Sequence, residues 1–255
     1  MKRKLSSRKF ETQEELIREA KRLSALVFSE GENHKEVYLP KFKPNYFYFP
    51  AISYFENESI TPEMIKKLQS RGNLLSVGSG DGHLERLITE GFNVSKKRIV
   101  LSDIELDPGL EKRNFRTCEF DMTKPWPDFQ EKFDYIFFPQ SLGVAVMHIG
   151  GDQNTRRFFD FIGGDTERIL KGENPRYPDF FRDVIEMDIP VVNLKYNIFK
   201  EALLHLKPDG EIRVNYGIGE KQQRAYVILR LKEENQKISF PRPNEGHNFT
   251  IKLNK

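Results

Sequence analysis

The stretch of sequence that decides the fold is LLSVGSGDG, which runs from Leu74 to Gly82. Its first four residues form a short, mainly apolar run that predicts a buried strand, and the glycines after it predict a turn that leads into a helix. Glycine suits such a turn because the backbone needs unusual dihedral angles there, and because a ligand can approach it without meeting a Cβ atom. The N–H groups at the start of the helix add a partial positive charge. This stretch therefore predicts a strand, a turn and a helix in succession, and taken alone it fits an ordinary tight turn as well as a ligand-binding one.

Beyond this stretch, helix-like and strand-like segments alternate along the chain. We predict a helix over Asp81–Glu90 and strands over Ile99–Leu101, Arg116–Phe120 and Tyr135–Phe138. This alternation indicates βαβ units, and so an α/β fold with a Rossmann-like, mainly parallel sheet and helices on both faces. Ligands of such sheets bind outside the carboxyl ends of the strands, which is where we expect the functional residues.

The flanking regions predict additions to this core rather than separate domains. Residues 1–60 are interpreted as an N-terminal helical and aromatic extension with a helix over Thr12–Val27, and a short helix is predicted directly after it, starting after Thr61. Residues 142–191 are interpreted as a mostly helical insert after the fourth strand. The remaining predicted elements are a helix over Leu194–Leu206 and strands over Glu211–Asn215, Tyr226–Leu231 and Phe249–Leu253. We therefore predict one domain over residues 1–255.

Composition and charge exclude several classes of protein. With 38% hydrophobic and 31% charged residues, and no run of about 18 apolar residues, the chain is not expected to span a membrane. The single cysteine, Cys118, allows no internal disulfide, and no cysteine or histidine cluster has the spacing of a zinc site. We therefore expect no metal and a reducing cytoplasm. A net charge of +3 is too balanced to indicate nucleic acid by itself.

Two aspartates follow the next predicted strands in the order that a nucleoside would need. Asp103 ends the second strand, where its carboxylate can accept hydrogen bonds from both hydroxyl groups of a ribose. Asp121 follows the third strand, where it can meet the edge of an adenine, and Met122 can pack on the ring. Each aspartate alone is more often a cap or a loop charge, but the glycine turn and both acids together predict a nucleoside-type ligand. His83 stands where the NAD fingerprint requires a glycine, which argues against a dinucleotide.

In these motifs the chain resembles the class I methyltransferases that depend on S-adenosylmethionine (SAM), a family with a seven-stranded, Rossmann-like fold. The matching stretches, between about Asn73 and Tyr216, are LLSVGSGDG, LSDIEL, EFDMTKPW, KFDYIFFPQSL and HLKPDGEIRVN. The chain departs from the family at Ser76, where an acidic residue is usual, and at Gly217–Arg224, which is too short for the usual final crossover helix.

The resemblance implies SAM as the cofactor, held by residues at the ends of four strands. These residues are Gly78, Ser79 and Gly80 for the methionine part, Asp81 in the same loop, Asp103 for the ribose, Ile104, Asp121 and Met122 for the adenine, and Pro139 and Gln140 for the methyl sulfonium. The extension over residues 1–60 would act as a lid, and the insert over residues 142–191 would form the acceptor side.

The methyl acceptor is not fixed by these residues. The fourth strand ends in FPQS rather than in the Asn/Asp-Pro-Pro-aromatic signature of enzymes that methylate exocyclic or amide nitrogens. His148 is a candidate general base, although a surface or packing role suits it better. We predict a methyltransferase acting on a small or medium organic acceptor. The alternatives are an RNA or protein methyltransferase, an inactive SAM-fold binding protein and, less favoured, a nicotinamide oxidoreductase.

Overall fold

The computed structural model describes residues 10–28, 51–139, 141–142, 165–173, 190–215, 221–235, 237–241 and 248–255. The chain divides into two compact units, Met1–Phe120 and Asp121–Lys255, and both combine strands with helices. The interpretation of residues 1–255 as one domain, with a lid over 1–60 and an acceptor-side insert over 142–191, stays a prediction.

Three parallel strands form the centre of the first unit. They are β1 (Leu74–Val77), β2 (Ile99–Asp103) and β3 (Arg116–Glu119), in the order β3-β2-β1. All four residues of β1 are buried, as the apolar run predicts. β1 pairs with β2 in parallel, with Val77 beside Ser102, so the carboxyl ends of the two strands lie at the same level. The three strands predicted in this part of the chain are confirmed.

The described helices of the first unit are α1 (Gln13–Val27), α2 (Ser53–Glu56), α3 (Pro62–Ser70), α4 (His83–Arg86) and α5 (Pro108–Lys112). The two caps predicted from the sequence are present. Thr12 Oγ1 accepts a hydrogen bond from Glu15 N at 3.2 Å, and Thr61 Oγ1 accepts one from Met64 N at 3.4 Å. Such bonds satisfy N–H groups that have no partner inside the helix, which explains why both helices begin at these points.

The helix predicted over Asp81–Glu90 begins later than expected and changes its winding. Gly82 is its N-cap and has a φ of 70°, a left-handed conformation that cannot belong to a right-handed helix. α4 therefore begins at His83, and a π-helical turn over Leu87–Gly91 continues it. Asp81 consequently lies in the glycine loop rather than in the helix.

The second unit contains four strands. They are β4 (Phe133–Pro139), β5 (Leu206–Asn215), β6 (Ile238–Ser239) and β7 (Asn248–Leu253), in the order β4-β5-β7-β6. β4 and β5 are parallel, whereas β7 is antiparallel to both β5 and β6. The LKPDG segment, predicted as a turn before the strand, is instead the irregular first half of β5, where Asp209 has a φ of 63°. The predicted strand over Phe249–Leu253 is confirmed, with β5 and β6 as its neighbours.

The strand predicted over Tyr226–Leu231 is wrong. These residues lie within a helix, α8 (Lys221–Glu234), which follows α6 (Thr166–Leu170) and α7 (Pro190–Leu204) in the described part of the second unit. Every residue from Arg224 to Leu229 is buried. A helix that is buried around its whole circumference carries no amphipathic period, so its sequence can be taken for that of a buried strand. α8 also supplies a crossover helix after β5. The prediction that Gly217–Arg224 is too short for this helix is therefore wrong, because the helix extends into the segment predicted as a strand.

The fold class predicted from the sequence is confirmed. The described part of the chain contains seven strands, with helices between β1 and β2, β2 and β3, β4 and β5, and β5 and β6, and strands β1 to β3, like strands β4 and β5, are parallel. The antiparallel β7 beside β5 completes a mainly parallel, Rossmann-like α/β arrangement. The carboxyl ends of β1 and β2 are therefore where a ligand site is expected.

Candidate functional site

The glycine loop that follows β1 is held at its base by the neighbouring strand. Gly78 N and Ser79 N both donate hydrogen bonds to the carbonyl oxygen of Ser102, at 2.7 and 2.9 Å. Gly78 and Gly80 have φ values of 72° and 57°, which is the left-handed region that favours glycine. A Cβ atom on Gly80 would meet nothing within 4 Å. The loop therefore presents bare backbone to open space at Gly80.

Gly82 is needed for a different reason. A Cβ atom at this position would lie 2.7 Å from Leu110 Cδ2 and 2.9 Å from Leu101 Cδ2, closer than carbon atoms approach in proteins. With its φ of 70°, Gly82 lets the start of α4 pack directly onto β2 and α5. Gly82 thus serves packing, whereas Gly80 faces space that a ligand could enter.

Asp103, at the end of β2, contacts the glycine loop. Its Oδ2 accepts a hydrogen bond from Gly80 N at 2.9 Å, and its Oδ1 accepts one from Ile104 N at 2.7 Å. Burial raises the pKa of the Asp103 carboxyl above its usual value, while the bonds from the backbone N–H groups act in the opposite direction. The N–H group of Glu105 also bonds to this carboxylate, so Asp103 keeps part of its acceptor capacity for the hydroxyl groups of a ribose.

Ile104 and Asp81 flank this centre. The side chain of Ile104 is 52% exposed immediately after Asp103, which leaves an apolar surface open to a flat ring. Asp81 Oδ1 accepts a hydrogen bond from His83 N at 3.3 Å, and Oδ2 of Asp81 contacts Nδ1 of the His83 imidazole. The ring of His83 is buried, with its centroid 5.0 Å from that of Phe28. Asp81 therefore caps the start of α4 from within the loop.

A buried carboxyl group that the sequence interpretation missed lies behind the loop. Ser76 Oγ donates a hydrogen bond of 2.5 Å to Oε1 of Glu85, and both residues are almost fully buried. Burial raises the pKa of the Glu85 carboxyl to about 7, and the hydrogen bond from Ser76 only partly offsets this effect. The spacing of Glu85 on its helix offers a signal for this burial, because it stands between the inward-facing Leu84 and Ile88.

The first unit thus brings together Gly78, Ser79, Gly80, Asp81, Asp103 and Ile104 at the carboxyl ends of β1 and β2. The other predicted cofactor residues belong to the second unit or are not described. Asp121 Oδ1 accepts hydrogen bonds from Thr123 N and Oγ1 at 2.9 and 2.7 Å, which is the local capping role that an isolated aspartate often has. The carbonyl oxygen of Met122 accepts a hydrogen bond of 3.1 Å from Trp126 Nε1.

Pro139 is the last residue of β4 and lies beside Asn215 in the parallel pairing with β5. Gln140, the predicted partner of the methyl sulfonium, and His148, the candidate base, lie outside the described residues. The roles assigned to these residues and to Asp121 and Met122 stay predictions, as do the cofactor-binding roles of the residues that the first unit brings together.

The described residues carry no signal of a metal site or of a membrane-spanning helix. No group of three or more histidine, cysteine, aspartate or glutamate side chains there is arranged to hold a metal ion. No helix among these residues is both long enough and apolar enough to cross a membrane.

A buried strand, a glycine loop in left-handed conformation and a carboxylate at the end of the next parallel strand define a Rossmann-like site suited to a nucleoside. No protein-family model matches this chain, and no curated protein matches it in sequence.

Several solved structures are similar to the chain. A methyltransferase from Pyrococcus furiosus is 15% identical, with 95% of this chain and 98% of that chain covered and a TM-score of 0.45. The N-methyltransferase NodS from Bradyrhizobium japonicum, in complex with S-adenosyl-L-homocysteine, is 9% identical, with 94% and 98% covered and a TM-score of 0.42. An amino pentose methyltransferase from Micromonospora echinaspora with SAM bound is 13% identical, with a TM-score of 0.33. That match covers 67% of this chain, which spans only 58% of the length of that protein.

Proposed function

We propose that this protein is a SAM-dependent methyltransferase that acts on a small or medium organic acceptor. The observation that carries the proposal is the bond between the glycine loop and Asp103, because it joins a bare backbone surface to a carboxylate suited to ribose. The motif resemblance, which extends from the glycine loop to β5, selects SAM among nucleoside ligands.

The residues present fit this cofactor. Gly78, Ser79 and Gly80 would line its methionine part, because Gly80 faces open space and has no side chain to obstruct it. Asp103 would accept the ribose hydroxyl groups with its remaining lone pairs. Ile104 would give up its exposure to water on contact with the adenine, which favours binding through the hydrophobic effect.

Bound SAM supplies a methyl group on a positively charged sulfur, and its transfer to the acceptor is an in-line displacement. The chain contributes orientation, since fixing two reactants in line removes much of the entropic barrier to their reaction. Gly80 and Asp103 belong to one hydrogen-bonded unit and would hold the cofactor in a fixed pose. A cytoplasmic location is part of the same proposal and is supported by the use of a single cysteine.

Transfer of a labelled methyl group tests the proposal. The wild-type chain would be incubated with methyl-tritiated SAM and with separate panels of small organic amines, alcohols and acids, of RNA and of protein. We expect label in a small-molecule product, and we expect Asp103→Ala to lose this transfer. Glu63→Ala, which removes an exposed carboxylate on α3, is the matched control and should retain it. Label only in RNA or protein would contradict the proposed acceptor class, and no label with any panel would contradict the activity.

A further inference from the structure

The carboxyl group behind the glycine loop belongs to a continuous network in the first unit. Glu85 Oε1 accepts the hydrogen bond of Ser76 Oγ at 2.5 Å, and the carbonyl oxygen of Ser76 accepts one from Ser102 Oγ at 3.0 Å. The carbonyl oxygen of Ser102 in turn accepts the N–H groups of Gly78 and Ser79. The network therefore connects Glu85 to the base of the loop through the ends of β1 and β2.

The second carboxyl oxygen of Glu85 lies close to the other end of the loop. Its Oε2 would be 3.9 Å from a Cβ atom on Gly82, the residue at which the loop ends and α4 begins. Glu85 is 1% exposed, so its carboxyl group is shielded from water and its charge is weakly screened. It thus lies behind the loop, on the side away from solvent.

We propose that Glu85 is a positioning residue whose buried carboxylate, anchored on Ser76, holds the glycine loop and attracts the α-ammonium group at the zwitterionic amino-acid end of the cofactor. This inference rests on the proposed function. It also places a carboxyl group beside Ser76, at the position where the resemblance implies an acidic residue and this chain has a serine.

The order of the strands indicates which end of the cofactor Glu85 affects. Asp103 at the end of β2 is suited to the ribose, and the exposed Ile104 beside it is suited to the adenine. The remaining part of the ligand then lies over the glycine loop at the end of β1, which is the strand that carries Ser76. This part bears an α-ammonium group and an α-carboxylate group, and the ammonium group is the one that the carboxylate of Glu85 would attract.

The charges around Glu85 make the effect measurable by pH. Asp81 in the loop raises the pKa of Glu85 and His83 lowers it, whereas burial is the main cause of its value of about 7. The ionisable groups on the neighbouring elements include Asp103 at the end of β2, Arg86 on α4, Glu90 in the π-helical turn that continues α4, and Glu111 and Lys112 on α5. A bound ammonium group favours the ionised form of Glu85, so binding near neutral pH should release a proton from it.

Two ligands separate this role from a general effect on folding. S-adenosylhomocysteine carries the amino-acid end, whereas 5′-methylthioadenosine has the same nucleoside without it. Calorimetry at pH 6 and pH 8 would give the Kd of both ligands for the wild type and for Glu85→Gln. Thr89→Ala is the matched control, because Thr89 is also buried, in the π-helical turn that continues α4, and among the described residues its hydroxyl group bonds to the carbonyl oxygens of Glu85 and Arg86.

We expect Glu85→Gln to raise the Kd of S-adenosylhomocysteine at pH 8 by about tenfold, because the attraction between the Glu85 carboxylate and the α-ammonium group is lost. The Kd of 5′-methylthioadenosine should stay unchanged. The affinity of the wild type for S-adenosylhomocysteine should rise from pH 6 to pH 8, and that of Glu85→Gln should change less. Thr89→Ala should keep the wild-type ratio of the two Kd values.

An unchanged ratio of the two Kd values in Glu85→Gln would overturn the inference. An equal loss of affinity for both ligands leaves this ratio unchanged and therefore counts as the same result. A change of the ratio in Thr89→Ala as large as in Glu85→Gln would also overturn the inference, since it would show a general effect on the fold. Failure of the wild type to bind S-adenosylhomocysteine at all would instead contradict the proposed function.

Discussion

The burial of Glu85 predicts that the stability of this protein depends on pH in a way that one substitution removes. An unfolded chain exposes this carboxyl group to water, where its pKa is near the ordinary value of 4.5, whereas in the folded chain the pKa is about 7. Because the folded value is the higher one, the folded state holds its proton more tightly. The stabilisation that the protonated, buried Glu85 gives to the folded state is therefore complete below about pH 4.5, and it is lost as pH rises through 7.

The size of this effect follows from the shift in pKa. Each unit corresponds to about 1.4 kcal/mol, so Glu85 should lower the free energy of unfolding by roughly 3 kcal/mol over this interval. Most of the loss should occur between pH 5 and pH 8. Glutamine has the same shape and can still accept the hydrogen bond from Ser76, but it does not ionise. Glu85→Gln should consequently be more stable than the wild type at pH 8 by roughly 2 to 3 kcal/mol.

Urea unfolding of the wild type and Glu85→Gln at several pH values between 5 and 8 measures this difference. The gap between the two chains should be smallest at pH 5 and should widen steadily as the pH rises. Glu63→Gln, which removes an exposed carboxylate on α3, should follow the wild type across the range. Parallel pH profiles for the wild type and Glu85→Gln would refute the reasoning, because they would show that this carboxyl group has the same pKa in both states.

Three further predictions concern other residues of the first unit. Gly82→Ala places a methyl group 2.7 Å from Leu110 Cδ2 and should lower the free energy of unfolding in urea by about 1 to 3 kcal/mol. The methyl group of Gly80→Ala meets no atom within 4 Å, so this substitution should lower the free energy of unfolding by about 1 kcal/mol, because of the positive φ. Its main effect should be weaker binding of S-adenosylhomocysteine, measured by calorimetry. Equal effects of the two substitutions on stability would contradict this distinction. Ile104→Ser removes an exposed apolar side chain, so the melting temperature should hold while the Kd of S-adenosylhomocysteine rises roughly tenfold; an unchanged Kd would exclude Ile104 from the site. Thr61→Ala removes the cap of α3 and should lower the free energy of unfolding by about 1 kcal/mol without changing that Kd, and a change in Kd alone would count against a purely structural role.

The sequence predicted those elements whose signals are local. The apolar run Leu74–Val77, bounded by glycines, could only be buried, and β1 has these bounds in the structure. Thr12 and Thr61 each satisfy an N–H group three residues ahead, so the starts of α1 and α3 followed from neighbouring residues alone. The position of Asp103 at the end of a buried strand followed in the same way, and Asp103 is the last residue of β2, whereas its role in binding a cofactor stays a prediction.

The predictions failed where the structure depends on packing between distant residues. Tyr226–Leu231 is rich in residues that favour strands, yet it lies in α8, whose burial removes the polar face that would have revealed a helix. The role of Glu85 depends on a turn that brings it to Ser76 across nine residues of chain. From the sequence alone, a glutamate in a helix is expected to face solvent. The contact with Ser76 can be inferred only once the conformation of Gly78, Gly80 and Gly82 is known.

Calorimetric titration of the wild type and of Asp103→Ala with S-adenosylhomocysteine tests the central claim most directly. Gly80 and Asp103 form one hydrogen-bonded unit at the ends of β1 and β2, and the cofactor is proposed to bind there. We expect saturable binding at one site per chain in the wild type and at least a tenfold weaker affinity in Asp103→Ala, for the loss of about 1.4 kcal/mol or more from the ribose contacts. Equal affinities would place the cofactor elsewhere, and no binding to the wild type would contradict the assignment of this site to SAM.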